Sequence, residues 1–221
     1  MQTQVFYTLQ LPSGGKVPVK RYRFGKAGRR VAFVAGIRGD APEGIRVAFR
    51  LMKELESLEE HLEGTVDVYP CINPLAAEQG ERLWPAFGLD QNRQFPGRSN
   101  GHPPSQLAFR LLEDLRDVDL VVELRGARPG FEELPQAMIQ ERFADSEPFP
   151  DVTLLEVSRH CNTSIVWKRT NGPSAVHTFA YQFENAIIVE GGQGNRLTAN
   201  VGDIFRDGCL YLLTKTGVLP E

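Results

Sequence analysis

The chain has 221 residues, of which 41% are hydrophobic and 24% charged, with a formal net charge of −3. That size and composition suit one soluble globular domain spanning 1–221, and the mildly acidic balance excludes the strongly basic profile of nucleic-acid and anionic-membrane binders. No stretch approaches the roughly 20 apolar residues of a membrane span, and no basic segment followed by an apolar core opens the chain, so the expected location is cytoplasmic.

Residues 5–11 and 16–24 are β-rich runs separated by Pro12-Ser13-Gly14-Gly15, which predicts an N-terminal hairpin. Residues 30–37 (RVAFVAGI) form a nearly continuous apolar run, as in a strand buried on both faces of a parallel sheet. A helix is predicted from Pro42, because proline fits a first helical turn. Its apolar stripe is expected at Ile45, Ala48, Phe49, Met52 and Leu55, with Lys53, Glu54, Glu56, Glu59 and Glu60 on a solvated face. Residues 65–72 (TVDVYPCI) are the next strand. Residues 73–104 are rich in Gly, Pro, Asn and Arg without a clear period and read as a long functional loop. Residues 105–116 predict an amphipathic helix with Leu107, Leu111 and Leu115 on one side. A buried strand follows at 119–125, a helix at 152–161 and a short strand at 164–168. The last buried strand is 186–190, and a closing helix spans 198–217. Strands alternating with helices predict an α/β domain: a mixed, largely parallel central sheet covered on both faces, a three-layer sandwich.

The three cysteines, Cys71, Cys161 and Cys209, are far apart and form no CxxC, so they read as reduced, mostly buried thiols. The four histidines, His61, His102, His160 and His177, show no HxxE, HxH or HxxH spacing and read as solvent or cap residues.

In open α/β sheets, ligands collect at the carboxyl ends of the strands. Following the apolar runs in order, those ends carry Arg38, then Arg82 with Asn92 and Arg93, then Arg125, then Glu190. Several guanidiniums with one carboxylate point to an anion-binding cleft, because arginine pairs bidentately with carboxylate or phosphate. The same arginines also suit internal ion pairs, and both readings stand at this point.

Four segments in this order resemble the aspartoacylase/succinylglutamate desuccinylase family of the zinc carboxypeptidase-like superfamily. They are Gly36-Ile37-Arg38-Gly39-Asp40-Ala41-Pro42-Glu43-Gly44, Asp90-Gln91-Asn92-Arg93-Gln94-Phe95-Pro96-Gly97, Glu123-Leu124-Arg125 and Val189-Glu190-Gly191-Gly192. The family's patterns there are G-x-H-G-D-E-x-E-G, D-L-N-R-x-F-P-G, D-L-H and E-x-G or E-G-G, and the likeness runs from about residue 30 to 218. The resemblance implies the zinc carboxypeptidase-like fold and an amide hydrolase. It places the zinc ligands at Arg38, Ala41 and Arg125, the substrate carboxylate on Asn92 and Arg93, Arg82 near the substrate carbonyl, and the general base at Glu190. The additional C-terminal β domain of longer members is expected to be absent.

All three ligand positions depart from the family's His, Glu and His. Ala41 has no donor atom, and a guanidinium remains protonated and offers no lone pair. Asp40, Glu43, Glu123 and Glu190 are the carboxylates a hard cation would use, with two arginines against it. The expectation is therefore no cofactor. Three functions follow from the resemblance and its departures. One is a metal-free pseudoenzyme, with Arg38 and Arg125 standing in for the charge of the metal, that binds a carboxylate- or phosphate-bearing small ligand or an acidic protein partner. Another is an active deacylase or peptidase using Glu190. The third is a structural or assembly protein. Homo-oligomerisation is compatible with each.

Overall fold

The computed structural model describes residues 1–170 and 172–220. Ten strands and five α-helices follow one another as β1 (Gln2–Gln10), β2 (Lys16–Phe24), β3 (Arg30–Ala35), α1 (Pro42–Leu58), β4 (Thr65–Tyr69), α2 (Pro74–Gln79), β5 (Leu83–Trp84), β6 (Leu89–Asp90), α3 (Pro103–Asp114), β7 (Leu120–Leu124), β8 (Glu132–Gln140), α4 (Leu154–Arg159), β9 (Ile165–Arg169), β10 (Ala186–Gln193) and α5 (Val201–Lys215). Eight strands build one sheet in the order β1-β2-β4-β3-β7-β10-β8-β9, and β5 and β6 form a separate two-stranded ribbon. The central four, β4, β3, β7 and β10, are parallel; β2 joins β4 antiparallel and β8 joins β10 antiparallel, which makes the sheet mixed.

The alternation of side chains along each strand divides the interior into two cores. Val31, Phe33 and Ala35 of β3 face one side with Val47, Leu51 and Leu55 of α1, Leu154 and Val157 of α4, and Phe205 and Leu212 of α5. Ala32 and Val34 face the other with Leu107 and Leu111 of α3, Trp84, Phe95 and Phe179. The predicted three-layer sandwich, hairpin and central strands are therefore the observed ones. Among the described residues, no helix is long and apolar enough to cross a membrane.

Three readings change. The buried stripe of α1 is rotated toward Val47 and Leu51: Ile45 is only half-buried and Phe49 is 52% exposed. Amphipathic periodicity locates a stripe, but the sheet and α5 together decide which sector of the helix they cover. Residues 73–104 are also no irregular loop. They hold α2, the β5–β6 ribbon, a 3₁₀ turn at Gln91–Arg93 and the start of α3, which begins two residues earlier than its periodicity predicts. Finally, β8 is an additional strand. Its sequence, EELPQAMIQ, contains a proline and little β-branched character, and its place is set by pairing with β10 and β9.

The histidines fit cap and packing roles. His102 caps α3 by accepting from the Ser105 N–H at 3.4 Å, His160 caps the end of α4 and meets Tyr211 edge-on, and the His177 ring lies 3.1 Å from the Phe95 carbonyl. Cys161 and Cys209 are buried free thiols, and Cys71 is a half-buried one.

Candidate functional site

Strand β3 ends at Ala35, and the chain turns sharply through Gly36, whose φ of +63° suits a residue without a side chain. The turn lays Arg38 and Asp40 side by side at the entrance to α1. The Arg38 guanidinium donates from Nε and Nη2 to the two Asp40 carboxylate oxygens at 2.9 and 2.8 Å, with both side chains buried. At the end of β7, Glu123 and Arg125 are two residues apart and share one face of the chain. Arg125 donates to the Glu123 oxygens at 2.6 and 2.7 Å, and its Nη1 lies 3.7 Å from Glu190 Oε2. Burial works against the Arg125 charge, but Glu123 and Glu190 outweigh it and hold the guanidinium protonated.

The segment between β5 and α3 is rigidly built. Trp84 is buried and donates its indole N–H to Gln91 at 2.7 Å, and Gln91 donates to the Pro104 carbonyl. Arg82 is bound twice to Asp90 Oδ2, at 2.9 and 2.7 Å, while Asp90 Oδ1 accepts from the Asn92 N–H. The Asn92 side chain accepts from the Phe179 N–H at 2.8 Å and so ties this segment to the stretch after β9. Arg93 donates to the carbonyl of its own neighbour, Asn92, at 2.8 Å.

Strand β10 delivers Glu190 at the start of a register irregularity: Glu190 pairs with Gln136, yet Gly192 pairs with Glu133. A β-bulge of this kind re-aims side chains. Here it brings Glu133, rather than the exposed Leu134, to the same side as Gln136 and Glu190. Gly191 fits closely at this bend: a Cβ there would press on the Pro135 backbone at 3.0 Å and on the Phe205 ring at 3.1 Å.

Arg38, Arg82, Asn92, Arg93, Arg125 and Glu190 all line one cavity of about 500 Å³. The cavity therefore brings together every residue the strand-end reading selected; Ala41, which only the resemblance singled out as a ligand position, is buried at the entrance of α1 and does not line it. The reading missed Arg128, Glu133, Gln136 and Arg169, which line the same cavity. Arg128 stands three residues beyond Arg125 and could have been found by following that strand end further. Arg169 could not: β9 runs parallel to β8 and so against β10, and its carboxyl end lies away from the ends of the central strands.

Burial pushes the Glu190 carboxyl up to about 7; the adjacent Glu133 carboxyl adds to this, while Arg125 and Arg38 pull it down. Two neighbouring carboxyls resist carrying two charges at once. Glu133 in turn accepts from Gln136 at 2.9 Å and faces Arg128 at 3.7 Å.

The donor set at the implied metal position does not fit zinc. Arg38 and Arg125 present protonated guanidiniums, and Ala41 presents a methyl group, where a catalytic zinc site needs about three lone-pair donors. Asp40 and Glu123 are occupied by those guanidiniums, and Glu43 is buried away from the cavity, accepting from the Thr198 N–H at 2.7 Å. Among the described residues, no group of three or more His, Cys, Asp or Glu side chains is placed to hold a metal ion.

The succinylglutamate desuccinylase/aspartoacylase catalytic domain matches residues 27–215. A curated relative, the N-alpha-acetyl-L-2,4-diaminobutyric acid deacetylase of Halomonas elongata, is 32% identical over 107 residues, covering 47% of this chain and 30% of that protein. The match thus spans less than a third of that enzyme's length. Among solved structures, a succinylglutamate desuccinylase/aspartoacylase from Rhodobacter sphaeroides superposes with a TM-score of 0.79 at 21% identity, over 99% of this chain and 67% of that one. The product-bound ectoine utilization protein EutE (DoeB) from Ruegeria pomeroyi gives 0.80 at 20% identity, over 97% and 66%. These structures share the fold.

Proposed function

The chain belongs to the succinylglutamate desuccinylase/aspartoacylase catalytic-domain family, whose named members are amide hydrolases, and on that premise we propose that it is a metal-free member that binds a small ligand bearing carboxylate or phosphate. The observation that carries this reading is the lining of the cavity: six guanidiniums, from Arg38, Arg82, Arg93, Arg125, Arg128 and Arg169, against the two carboxyls of Glu133 and Glu190. With Glu190 pushed up to about 7, one of those carboxyls carries a full charge only above neutral pH. Asp40, Glu123 and Asp90 offset three of these guanidiniums; the smaller cationic surplus that remains in a concave site favours an anion, and its partial enclosure strengthens the attraction relative to bulk water.

Arg38 and Arg125 support this function indirectly. Their bidentate bonds to Asp40 and Glu123 cancel most of their charge; each bond lies within one strand end, and only the 3.7 Å approach of Arg125 to Glu190 crosses from β7 to β10. Breaking a buried pair of this kind by removing one partner costs about 3–5 kcal/mol, so these arginines contribute to the stability of the cavity's lining.

The test is thermal denaturation with citrate, phosphate and N-acetyl-L-aspartate. A ligand at a hundred times its Kd stabilises the folded state by about 2.7 kcal/mol, so at least one of these anions should raise Tm by several degrees. If none moves it, the anion-binding reading is wrong.

A second reading has one specific observation behind it. A carboxyl near 7 is suited to general acid–base work at neutral pH, and Glu190 stands at the position that the resemblance assigns to the base. Hydrolysis of N-acetyl amino acids that persists in chelator and disappears in Glu190→Gln would establish that reading in place of the first.

A further inference from the structure

Glu43 is a buried carboxylate that does not line the cavity. It stands in the first turn of α1, shortly after Arg38, and is 1% exposed. Burying such a group is unfavourable unless it is paired or hydrogen-bonded. Its Oε2 accepts the Thr198 N–H at 2.7 Å, and its Oε1 lies 3.6 Å from Arg46 Nη1. The same Arg46 nitrogen lies 3.4 Å from the Thr198 carbonyl, so Glu43, Arg46 and Thr198 close a small ring of polar contacts.

Thr198 carries this connection to β10. Its Oγ1 accepts the Gln193 N–H at 2.7 Å, and it packs so near Gly192 that a Cβ there would stand 2.8 Å from that oxygen. Gly192 is the residue at which β10 resumes pairing with β8 after the bulge at Glu190. From the other side, the Gly191 carbonyl accepts the Ala127 N–H at 3.1 Å, which ties the bulge to the chain leaving β7. That chain is itself packed on the start of α1: a Cβ on Gly126 would lie 3.3 Å from the Glu43 Cβ, and one on Gly44 would overlap the Leu124 carbonyl. Glu43 therefore stands where the ends of β7 and β10 meet the entrance of α1, the three places that deliver Arg125, Glu190 and Arg38.

We propose that Glu43 is a positioning residue of the candidate site: acting through Thr198, it holds the bulge that sets Glu190 and Glu133 beside each other. The assignment goes beyond anion binding and holds for any ligand of the cavity. Without the Glu43–Thr198 bond, residues 192–198 are released from α1 and the bulge is free to relax toward a regular ladder. Side chains alternate along a regular strand, so the extra residue that aims Glu133 inward is then lost. Glu190 loses its carboxyl neighbour and gains water, and both changes lower its affinity for a proton.

The experiment follows the side-chain carboxyl carbon-13 resonance of Glu190 in the full chain from about pH 4 to 9, the resonance being identified by its absence in Glu190→Gln. Glu43→Leu, which fills the space but accepts no hydrogen bond, and Thr198→Val, which removes the hydroxyl, should each lower the titration midpoint by about one pH unit or more, a tenfold loss of proton affinity. Glu43→Gln, which removes the charge but keeps an acceptor for the Thr198 N–H, should titrate as the parent does. Glu43→Asp, one methylene short, should fall between, and with Thr198→Val it carries the test if Glu43→Leu does not fold. A merely structural role would lower Tm in these variants and leave the midpoint where it is. An unchanged midpoint in Thr198→Val, or in the Glu43 variants that shorten or remove the acceptor, overturns the proposal. So does a midpoint in Glu43→Gln that falls as far as in Glu43→Leu, since the lost charge alone then accounts for the shift. The thermal shifts with citrate and phosphate bear only on the anion-binding reading, so the two stand or fall separately.

Discussion

Glu190→Gln should make the protein more stable at neutral pH and leave it nearly unchanged in acid. Glu190 is held at about 7 against an ordinary value of 4.5, chiefly because burial disfavours its charge. A carboxyl whose folded value is raised binds its proton more tightly in the fold than in the unfolded chain. Its contribution to stability is therefore fully present below about 4.5 and is lost as pH rises through about 7. At 1.36 kcal/mol per tenfold change in proton affinity, the loss is roughly 3 kcal/mol. Glutamine has nearly the shape of the protonated acid and never ionises. It also removes the like charge facing Glu133, which acts in the same direction. Urea unfolding of both proteins from pH 4.5 to 8.5 reads this directly: the free-energy difference should be near zero at the acid end and favour the variant by roughly 3 kcal/mol at the alkaline end. A flat difference, or one that turns toward the parent as pH rises, would refute the claim that burial and Glu133 outweigh Arg125 and Arg38 at this carboxyl.

Asp67 is fully buried in β4 and meets Arg23 at 2.7 Å, Arg30 at 2.6 Å and Arg21 at 3.7 Å. Asp67→Asn leaves Arg23 and Arg30 without their charge partner, while Arg21 keeps Asp114 at 2.7 Å, and should cost about 3–5 kcal/mol in chemical denaturation; a loss below 1 kcal/mol would mean that water replaces the carboxylate. Gly44 in the first turn of α1 lies against the end of β7, where an added Cβ would overlap the Leu124 carbonyl. Gly44→Ala should therefore cost about 1–3 kcal/mol by forcing helix and strand apart, although alanine is the better helix former. Loading with zinc followed by chelation should leave Tm within about a degree throughout, since a ligand that does not bind the folded state cannot shift its stability. About one zinc retained per chain by elemental analysis would overturn the reading of Arg38, Ala41 and Arg125.

Much of the candidate site is legible along the chain because it sits where local pattern and topology agree. Each of the four central strands is an apolar run, and reading past its carboxyl end selects Arg38, Arg82, Asn92, Arg93, Arg125 and Glu190, all of which line one cavity. The pairing of Glu123 with Arg125 was also within reach, since residues two apart on a strand share a face. The stripe of α1 was harder, because Phe49 and Val47 are equally apolar and only the packing of α5 and the sheet separates them.

The sequence by itself determined the N-terminal hairpin, the buried parallel strands, the larger helices, the family segments and the chemistry missing at the implied metal position, because these depend on residue type and short-range spacing. Tertiary structure alone decided that β8 enters between β10 and β9, that a bulge turns Glu133 toward Glu190, and that Arg169 reaches the cavity from a strand running the other way. It also decided which arginines are already neutralised and which are not. Those outcomes rest on contacts between segments tens of residues apart, and a pairwise electrostatic balance of that kind exists only once the chain has closed around it.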